Sequence, residues 1–303
     1  MLDEKMNENQ TQLSSWILAV RPKTLPAAVG PVFVGSAVAV NDLSFQFVPA
    51  LACLAGAILL QIAVNLANDY FDYKNAIDSE ERLGPTRVTQ SGLIPPAHVK
   101  MAMVLSLVLA GLVFFYLSLV GGWPIVILGV LSLLASLAYS GGPFPLASNG
   151  LGELFVFLFF GLAAVCGTYF VQTGLVTKLA VAAAVPPGLL ITAIMVVNNL
   201  RDIETDRKAG KNTLAVILGR RNTIIEYRLL LVFSYLVPVV LFWQYGTGLF
   251  MLAPLLTLPS AWMLIMSINR ESGRALNEIL GRTAKLSMFY CFLFSLGLAY
   301  GLT

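Results

Sequence analysis

The sequence predicts an all-α integral membrane protein with about nine transmembrane helices. Of its 303 residues, 57% are hydrophobic and only 12% are charged, whereas about a quarter of a soluble domain is charged. The apolar residues form runs long enough to cross a bilayer, and the basic residues lie between these runs, almost all on one side. An ordinary soluble domain is therefore excluded.

Nine apolar runs are predicted to span the membrane, within one domain that covers residues 1–303. The runs cover 16–40, 46–70, 98–120, 124–139, 151–171, 179–199, 224–243, 248–268 and 283–302, and the fourth is the shortest. Residues 1–15 form a polar tail that lacks the basic segment and cleavable apolar core of a signal peptide. The first span is therefore expected to remain in the mature protein.

The positions of lysine and arginine predict the orientation. With the N-terminus in the cytoplasm, Lys178 is the only one of the 19 basic residues that falls outside the cytoplasmic side. Cytoplasmic loops are enriched in such residues, so the tail 1–15 and the two long polar loops, 71–97 and 201–222, are expected in the cytoplasm. The net charge of +3 thus reflects one basic face of a protein in the cell's inner or plasma membrane, and it does not indicate nucleic-acid binding.

Polar side chains interrupt the second apolar run at its end. This first cluster consists of Asn65, Asn68, Asp69 and Asp72, followed by Asp78. The first four stand at i, i+3, i+4 and i+7, which places them on one face of a helix. A carboxylate that faces lipid costs roughly 2.5 to 3.5 kcal/mol on insertion scales. This face is therefore predicted to look into protein, water or a bound cation.

A second cluster follows the sixth run. It consists of Asn198, Asn199, Asp202 and Asp206, again at helical spacing. Asp72 and Asp202 lie four spans apart, which predicts a duplicated four-helix unit, spans 1–4 and 5–8, with the ninth span added. In such a bundle the two clusters face each other across a central cavity.

Two facing sets of carboxylates repel each other unless cations lie between them. Mg²⁺ suits this arrangement, because it takes a few hard oxygen ligands and completes its shell with phosphate oxygens. The candidates to contact the remaining oxygens of a diphosphate are the basic residues beside the clusters, Lys74, Arg82, Arg87, Arg207, Lys208 and Lys211. The alternative is that these are solvated loop charges.

A diphosphate that enters a membrane cavity is expected to carry a lipid tail, and an allylic prenyl diphosphate fits. Loss of its diphosphate leaves a carbon with cationic character, which aromatic faces stabilise. The candidate wall residues are Tyr70, Phe71, Tyr73, Tyr139, Phe144, Phe155 and Tyr169. For each of them, packing in the membrane is the alternative.

Five blocks resemble the UbiA-type prenyltransferase family. They are RPKTLPA at 21–27, NLANDYFDYKNAIDSEERLGPTR at 65–87, YSGGPFPL at 139–146, GLGE at 150–153, and NNLRDIETDRKAGKNTLAV at 198–216. The second block contains NDYFD at 68–72 with Asp78, which resembles the first aspartate-rich motif of the family, and the last contains DIETD at 202–206, which resembles the second. The six-residue step from Asp72 to Asp78, which is four in the general family pattern, resembles the naphthoate branch. The resemblance implies a Mg²⁺-dependent enzyme with helices around a central cavity. It further implies transfer of a polyprenyl chain from its diphosphate to 1,4-dihydroxy-2-naphthoate, with loss of CO₂ and diphosphate, to form demethylmenaquinol for menaquinone.

The resemblance also implies roles for individual residues. Metal coordination is implied for Asn68, Asp72, Asp202 and Asp206, and Asp69 and Asp78 are expected to assist through water. Lys211 and Arg87 match basic positions that the family uses near the diphosphate. The candidates to hold the carboxylate of the aromatic acceptor are Arg21, Lys23 and, more weakly, Tyr139. Anchoring at the membrane interface is the alternative for Arg21 and Lys23, and Glu153 is either a further buried acid or a stabiliser of a helix N-terminus.

Two other functions stay open on the sequence alone. The same fold acts on another acceptor, such as 4-hydroxybenzoate, homogentisate or a chlorin, or the protein is a secondary transporter. A transporter also has paired repeats and intramembrane acids. The acids of this chain are predicted at the cytoplasmic ends of spans and not at the midplane, which favours the enzyme.

Overall fold

The computed structural model describes residues 12–75, 83–245 and 248–301, and in these residues the chain is helical and contains no strand. The helices are α1 (Gln12–Thr24), α2 (Pro26–Asn41), α3 (Phe47–Lys74), α4 (Pro96–Gly121), α5 (Trp123–Ala138), α6 (Gly152–Thr173), α7 (Lys178–Lys208), α8 (Leu214–Tyr245), α9 (Leu249–Ser267) and α10 (Gly273–Tyr300).

The predicted all-α membrane architecture is confirmed, and the number of helices is roughly consistent with nine spans. Seven of the described helices are long and apolar enough to cross a membrane, and α1 with α2 forms an eighth span that is bent by 45°. Helix α5 is a shorter apolar helix of 16 residues, and it coincides with the shortest predicted span.

The two long polar loops are shorter in the structure than the sequence predicts. Residues 71–74 continue α3, residues 201–208 continue α7, and α8 already begins at Leu214. Helical hydrogen bonding continues beyond the apolar part of each span, because the polar side chains of these turns find ion-pair and hydrogen-bond partners inside the bundle. Both acidic clusters therefore lie on helices and not on loops.

The break between α1 and α2 is built from proline and stabilised by α3. Arg21 adopts a left-handed backbone conformation with φ of 55°, next to Pro22, which has no N–H and disrupts the regular helix before it. The Asn65 side chain of α3 donates hydrogen bonds to the Val20 carbonyl at 2.9 Å and to Thr24 Oγ1 at 3.0 Å. The break therefore has a defined geometry, with its turn directed toward α3.

The helices pack in two corresponding sets. The two most extensive pairs are α3 with α4 and α7 with α8, which are the second and third spans of each predicted half. This correspondence fits the four-helix duplication, which stays a prediction. Helix α10 packs against α2, α7 and α9, and the Tyr290 hydroxyl donates to the Ser234 carbonyl of α8 at 2.6 Å. The last helix therefore closes the bundle.

Candidate active site

A cavity of about 1490 Å³ lies among α1 to α7 and α10. Asp72 lines one end of it and Cys53, on the same helix, lines its deeper part. Nineteen residues of α-helix correspond to roughly 28 Å, so the cavity follows most of the length of α3. The end near Asp72 is polar, and the deeper part is lined by apolar residues such as Leu117, Leu128 and Phe159.

Asp72 is the centre of the polar end, and two cations hold its carboxylate. Arg87 donates to Oδ2 at 2.6 Å and Lys211 contacts Oδ1 at 3.4 Å. The Asp72 and Arg87 side chains are 9% and 8% exposed, so this is a buried ion pair. Lys211 comes from the connection between α7 and α8, so Asp72 joins the two halves of the chain.

Asp202 is held by a cation of its own helix. Arg201 contacts both of its carboxylate oxygens, and Arg201 also donates to Asn198 Oδ1 at 2.9 Å and to Asn277 Oδ1 at 2.7 Å. Asn277, at the start of α10, donates in turn to the Leu83 carbonyl at 2.9 Å. Arg201 therefore connects the second cluster to the last helix and to the segment that follows α3.

Asp206 completes the acidic end of the cavity. It lies close enough to Asp72, Asp202 and Lys211 for direct electrostatic interaction, and all four residues line the cavity. The structure thus brings together the carboxylates of the two predicted clusters, although they lie on different helices.

Asn68 and Asp69, although adjacent, have different surroundings. Asn68 lines the cavity, and its side-chain oxygen accepts a hydrogen bond from Ser140. Asp69 does not line the cavity: its two oxygens accept the backbone N–H groups of Val88 at 3.1 Å and of Thr89 at 3.0 Å. Asp69 therefore fixes the segment that carries Arg87, and its predicted metal role through water stays a prediction.

The other predicted residues divide by position. Arg21, Lys23 and Tyr139 line the cavity, whereas Lys74 and Arg207 are exposed and do not. Arg207 pairs with Glu204 at 3.3 Å on the surface. Asp78 and Arg82 lie outside the described residues. Among the predicted aromatic wall residues, Tyr139 and Phe155 line the cavity, and Tyr70, Phe71, Tyr73, Phe144 and Tyr169 do not.

Phe71 shows why the aromatic prediction was wrong for most positions. A Cβ atom on Gly141 would lie 2.5 Å from its ring, so this aromatic side chain fills the space that the glycine leaves beside the α5–α6 connection. Besides Tyr139 and Phe155, the wall includes aromatic residues that were not predicted, namely Phe114, Phe159, Phe160 and Phe289.

A buried carboxylate lies beside the cavity. Glu153 Oε1 accepts a hydrogen bond from Asn199 at 2.7 Å, and Oε2 is buried without a partner among the described residues. The Tyr139 hydroxyl contacts Met195 Sδ at 3.2 Å. Glu153 itself does not line the cavity, but Tyr139, Met195 and Asn199 do. Glu153, in the GLGE block, therefore contacts the cavity wall through its hydrogen bond with Asn199.

Two site residues were not predicted as such. Arg201 appeared only as one more cytoplasmic charge, although its position directly before Asp202 was a usable signal. Asn277 stands in a stretch without any motif, so nothing in the sequence marked it. Both line the cavity.

The donor set fits a hard divalent cation that a substrate helps to hold. Asn68, Asp72, Asp202 and Asp206 offer amide and carboxylate oxygens, which suit Mg²⁺. In the described part of the chain, no three His, Cys, Asp or Glu side chains are placed to hold a metal ion by themselves, and Asp72 and Asp202 are each paired with a cation of the protein. A cation between these residues would therefore need further oxygen ligands, such as the phosphate oxygens of a substrate.

Comparison with known proteins establishes the family. The profile of the UbiA prenyltransferase family matches residues 28–300. The chain belongs to this family. It is 36% identical over 306 residues to the 1,4-dihydroxy-2-naphthoate octaprenyltransferase of Haemophilus influenzae, which covers 96% of this chain and 97% of that protein. The enzyme of the same name from Escherichia coli is 36% identical over 305 residues, 97% of this chain and 98% of its own length.

A solved structure agrees in fold. The UbiA homologue from Archaeoglobus fulgidus bound to GPP and Mg²⁺ superposes with a TM-score of 0.68 at 15% identity, over 94% of this chain and 99% of that one. The expected UbiA-like architecture, helices around a central cavity, is thereby confirmed for this chain. The family membership further confirms that the chain is a membrane prenyltransferase.

Proposed function

We propose that this protein transfers a polyprenyl chain from an allylic diphosphate to 1,4-dihydroxy-2-naphthoate, with loss of CO₂ and diphosphate, and so forms demethylmenaquinol for menaquinone synthesis. The observation that carries the proposal is the cavity, which joins the carboxylates of two helix ends to an apolar chamber roughly 28 Å long along α3. The names of the relatives from Haemophilus influenzae and Escherichia coli support the naphthoate acceptor.

Mg²⁺ is the proposed cofactor, and its ligands are Asn68, Asp72, Asp202 and Asp206. When bound, it neutralises the charge that develops on the departing diphosphate. The metal-bound homologue from Archaeoglobus fulgidus supports this choice.

The protein's own cations hold the diphosphate. Arg87 and Lys211 line the cavity and contact Asp72, so they lie where a phosphate group between the clusters would approach. A guanidinium and an ammonium both donate charge-assisted hydrogen bonds to phosphate oxygens. Lys74 and Arg207, which are exposed outside the cavity, are therefore less suited to this role than the sequence suggested.

The acceptor is proposed to bind beside the broken helix. Arg21 and Lys23 line the cavity at the turn between α1 and α2, where either side chain can pair with the naphthoate carboxylate. Tyr139 lies on the cavity wall contributed by the end of α5 and is the weaker candidate. The hydroquinone ring is electron-rich, so its nucleophilic carbon needs to be held close to the allylic carbon rather than activated by a strong base.

The membrane orientation is part of the proposal. The excess of basic residues between spans supports an N-terminus and a polar cavity end in the cytoplasm of the inner or plasma membrane. Water-soluble 1,4-dihydroxy-2-naphthoate would then reach the polar end directly, and the prenyl chain would enter from the bilayer.

The test is a reaction with purified protein, Mg²⁺ and one polyprenyl diphosphate, with the acceptors offered in parallel. With 1,4-dihydroxy-2-naphthoate we expect equal amounts of CO₂ and diphosphate and a product with the mass of a demethylmenaquinol. If the product were instead prenylated 4-hydroxybenzoate, homogentisate or chlorin, the proposed acceptor would be wrong and the prenylated compound would identify the true one. Release of neither diphosphate nor CO₂ with any acceptor would reject the enzyme assignment.

A further inference from the structure

A second concave site lies apart from the central cavity. It is a groove of about 550 Å³ between the part of α8 that follows Gly219 and the end of α9, and it is lined by Arg220, Arg221, Ile224, Ile225, Arg228 and Asn269. None of the described residues of α8 or α9 lines the central cavity. The groove is therefore a separate feature that prenyl transfer does not explain.

The groove has positive charge without a matching negative charge. Among the described residues, none of its three arginines forms an ion pair with a carboxylate. Arg220 donates to the Glu271 carbonyl at 2.6 Å, Arg228 donates to the Ile265 carbonyl at 3.3 Å, and Arg228 Nε is buried with no hydrogen-bond partner in the described part of the chain. A buried donor without a partner is costly, so an anion in the groove would be stabilising.

The only carboxylate of α8 does not supply this anion. Glu226 interacts electrostatically with Glu153, on α6, and makes no ion pair with the arginines of the groove. Glu271, whose carbonyl accepts from Arg220, makes no ion pair with these arginines either, so no carboxylate of the described residues pairs with the groove.

The apolar surface beside the groove indicates what kind of anion fits. Ile225, Leu229, Val232 and Leu236 are exposed. Their spacing of i, i+4, i+7 and i+11 places them on one face of α8, which begins in the groove and runs toward the middle of the span. A molecule with an anionic head and an apolar chain matches both the arginines of the groove and the apolar face of α8.

We propose that this groove binds the phosphate of an anionic phospholipid, with an acyl chain along the exposed face of α8. Arginine suits phosphate because its planar guanidinium forms paired hydrogen bonds with two oxygens, and basic pockets between membrane helices bind such head groups. The bound lipid stabilises the part of α8 that follows the break at Gly219, where the backbone leaves the helical conformation.

The experiment uses the full chain in nanodiscs and compares phosphatidylglycerol with phosphatidylcholine. Native mass spectrometry counts the lipids that remain bound, and thermal unfolding measures the stabilisation. The variant Arg221→Gln/Arg228→Gln removes two charges from the groove. The control Lys100→Gln/Arg274→Gln removes two charges from exposed positions outside it. The single variant Arg221→Gln, at an exposed position without a structural hydrogen bond, replaces the double variant if that protein does not fold.

We expect wild type and control to retain one phosphatidylglycerol and to unfold at a higher temperature with it than with phosphatidylcholine. The groove variant is expected to bind that lipid about tenfold more weakly for each arginine removed and to lose the stabilisation. Equal retention of phosphatidylglycerol by all three proteins would overturn the proposal. Inorganic phosphate added in phosphatidylcholine discs separates the two sources of phosphate: stabilisation that equals that of phosphatidylglycerol and depends on Arg221 and Arg228 would assign the groove to a soluble anion instead.

Discussion

Both acidic clusters consist of asparagines and aspartates at helical spacing, but their side chains have different partners in the structure. In the first, Asp69 binds backbone amides and Asp72 binds Arg87 and Lys211, which lie outside its helix. In the second, Asp202 is held by Arg201, its neighbour in the chain, and Arg201 reaches α10 through Asn277.

The two clusters therefore contribute differently to the structure, which the residue pattern alone does not show. The carboxylates of the first cluster bind residues that are distant in sequence, namely Val88 and Thr89 at Asp69 and Arg87 and Lys211 at Asp72. They therefore fix the segment after α3. In the second cluster, Asp202 pairs with Arg201 of the same helix, and the Arg201 guanidinium also donates to Asn277 of α10. Substitutions in the two clusters should therefore affect stability and turnover in different proportions.

The largest effect is expected for Asp72→Asn. The amide keeps the size of the side chain but removes the charge that faces Asp202 and Asp206, so metal and diphosphate lose a ligand. We expect kcat to fall about 10²- to 10³-fold, measured as diphosphate release, in a protein that still elutes as a folded species. Glu204→Gln is the matched control, because Glu204 is an exposed carboxylate in the second motif. If Asp72→Asn retained full activity, the two-cluster metal site would be wrong.

A comparison of Asp202→Asn with Asp206→Asn sharpens the contrast within the second cluster. Both should reduce kcat about 10²-fold. Only Asp202→Asn leaves the buried Arg201 side chain, which is 2% exposed, without its ion-pair partner, and the weakened charge-assisted hydrogen bonds should cost about 2 kcal/mol of stability. Thermal unfolding in detergent measures the difference between the variants. Equal melting temperatures would contradict the holding role of Arg201.

Lys211→Gln tests the cation that links the two halves. It should raise the KM for the prenyl diphosphate about tenfold, because one charge-assisted contact to phosphate is lost. Arg207→Gln removes a cation four residues earlier whose side chain is 54% exposed, and it should change KM less than about threefold. A larger effect at Arg207 than at Lys211 would place the diphosphate elsewhere.

The smallest effect on catalysis is expected for Asp69→Asn. It weakens the hydrogen bonds to the Val88 and Thr89 amides and should cost about 1 to 2 kcal/mol of stability. The Mg²⁺ concentration that gives half-maximal rate should stay the same, because Asp69 does not line the cavity. An increase in that concentration without loss of stability would show instead that Asp69 assists the metal through water, as the sequence analysis predicted.

The sequence by itself determined the all-α membrane fold, the approximate number of spans and the position of the acidic residues at the ends of α3 and α7. These features depend on local hydrophobicity and on residue spacing along one helix, and both can be read from a single stretch of chain. The short blocks also carried the family resemblance, which the profile match over residues 28–300 confirmed.

Only the tertiary structure decided which polar side chains face the cavity. Asp69 and Asp72 lie three residues apart on one helix face, yet one binds a neighbouring segment and the other lines the cavity. That outcome depends on the rotation of α3 and on where residues 83–89 pack. Asn277 and Phe289 entered the site for the same reason: the position of α10 is set by long-range packing between helices, which no local pattern in the sequence encodes.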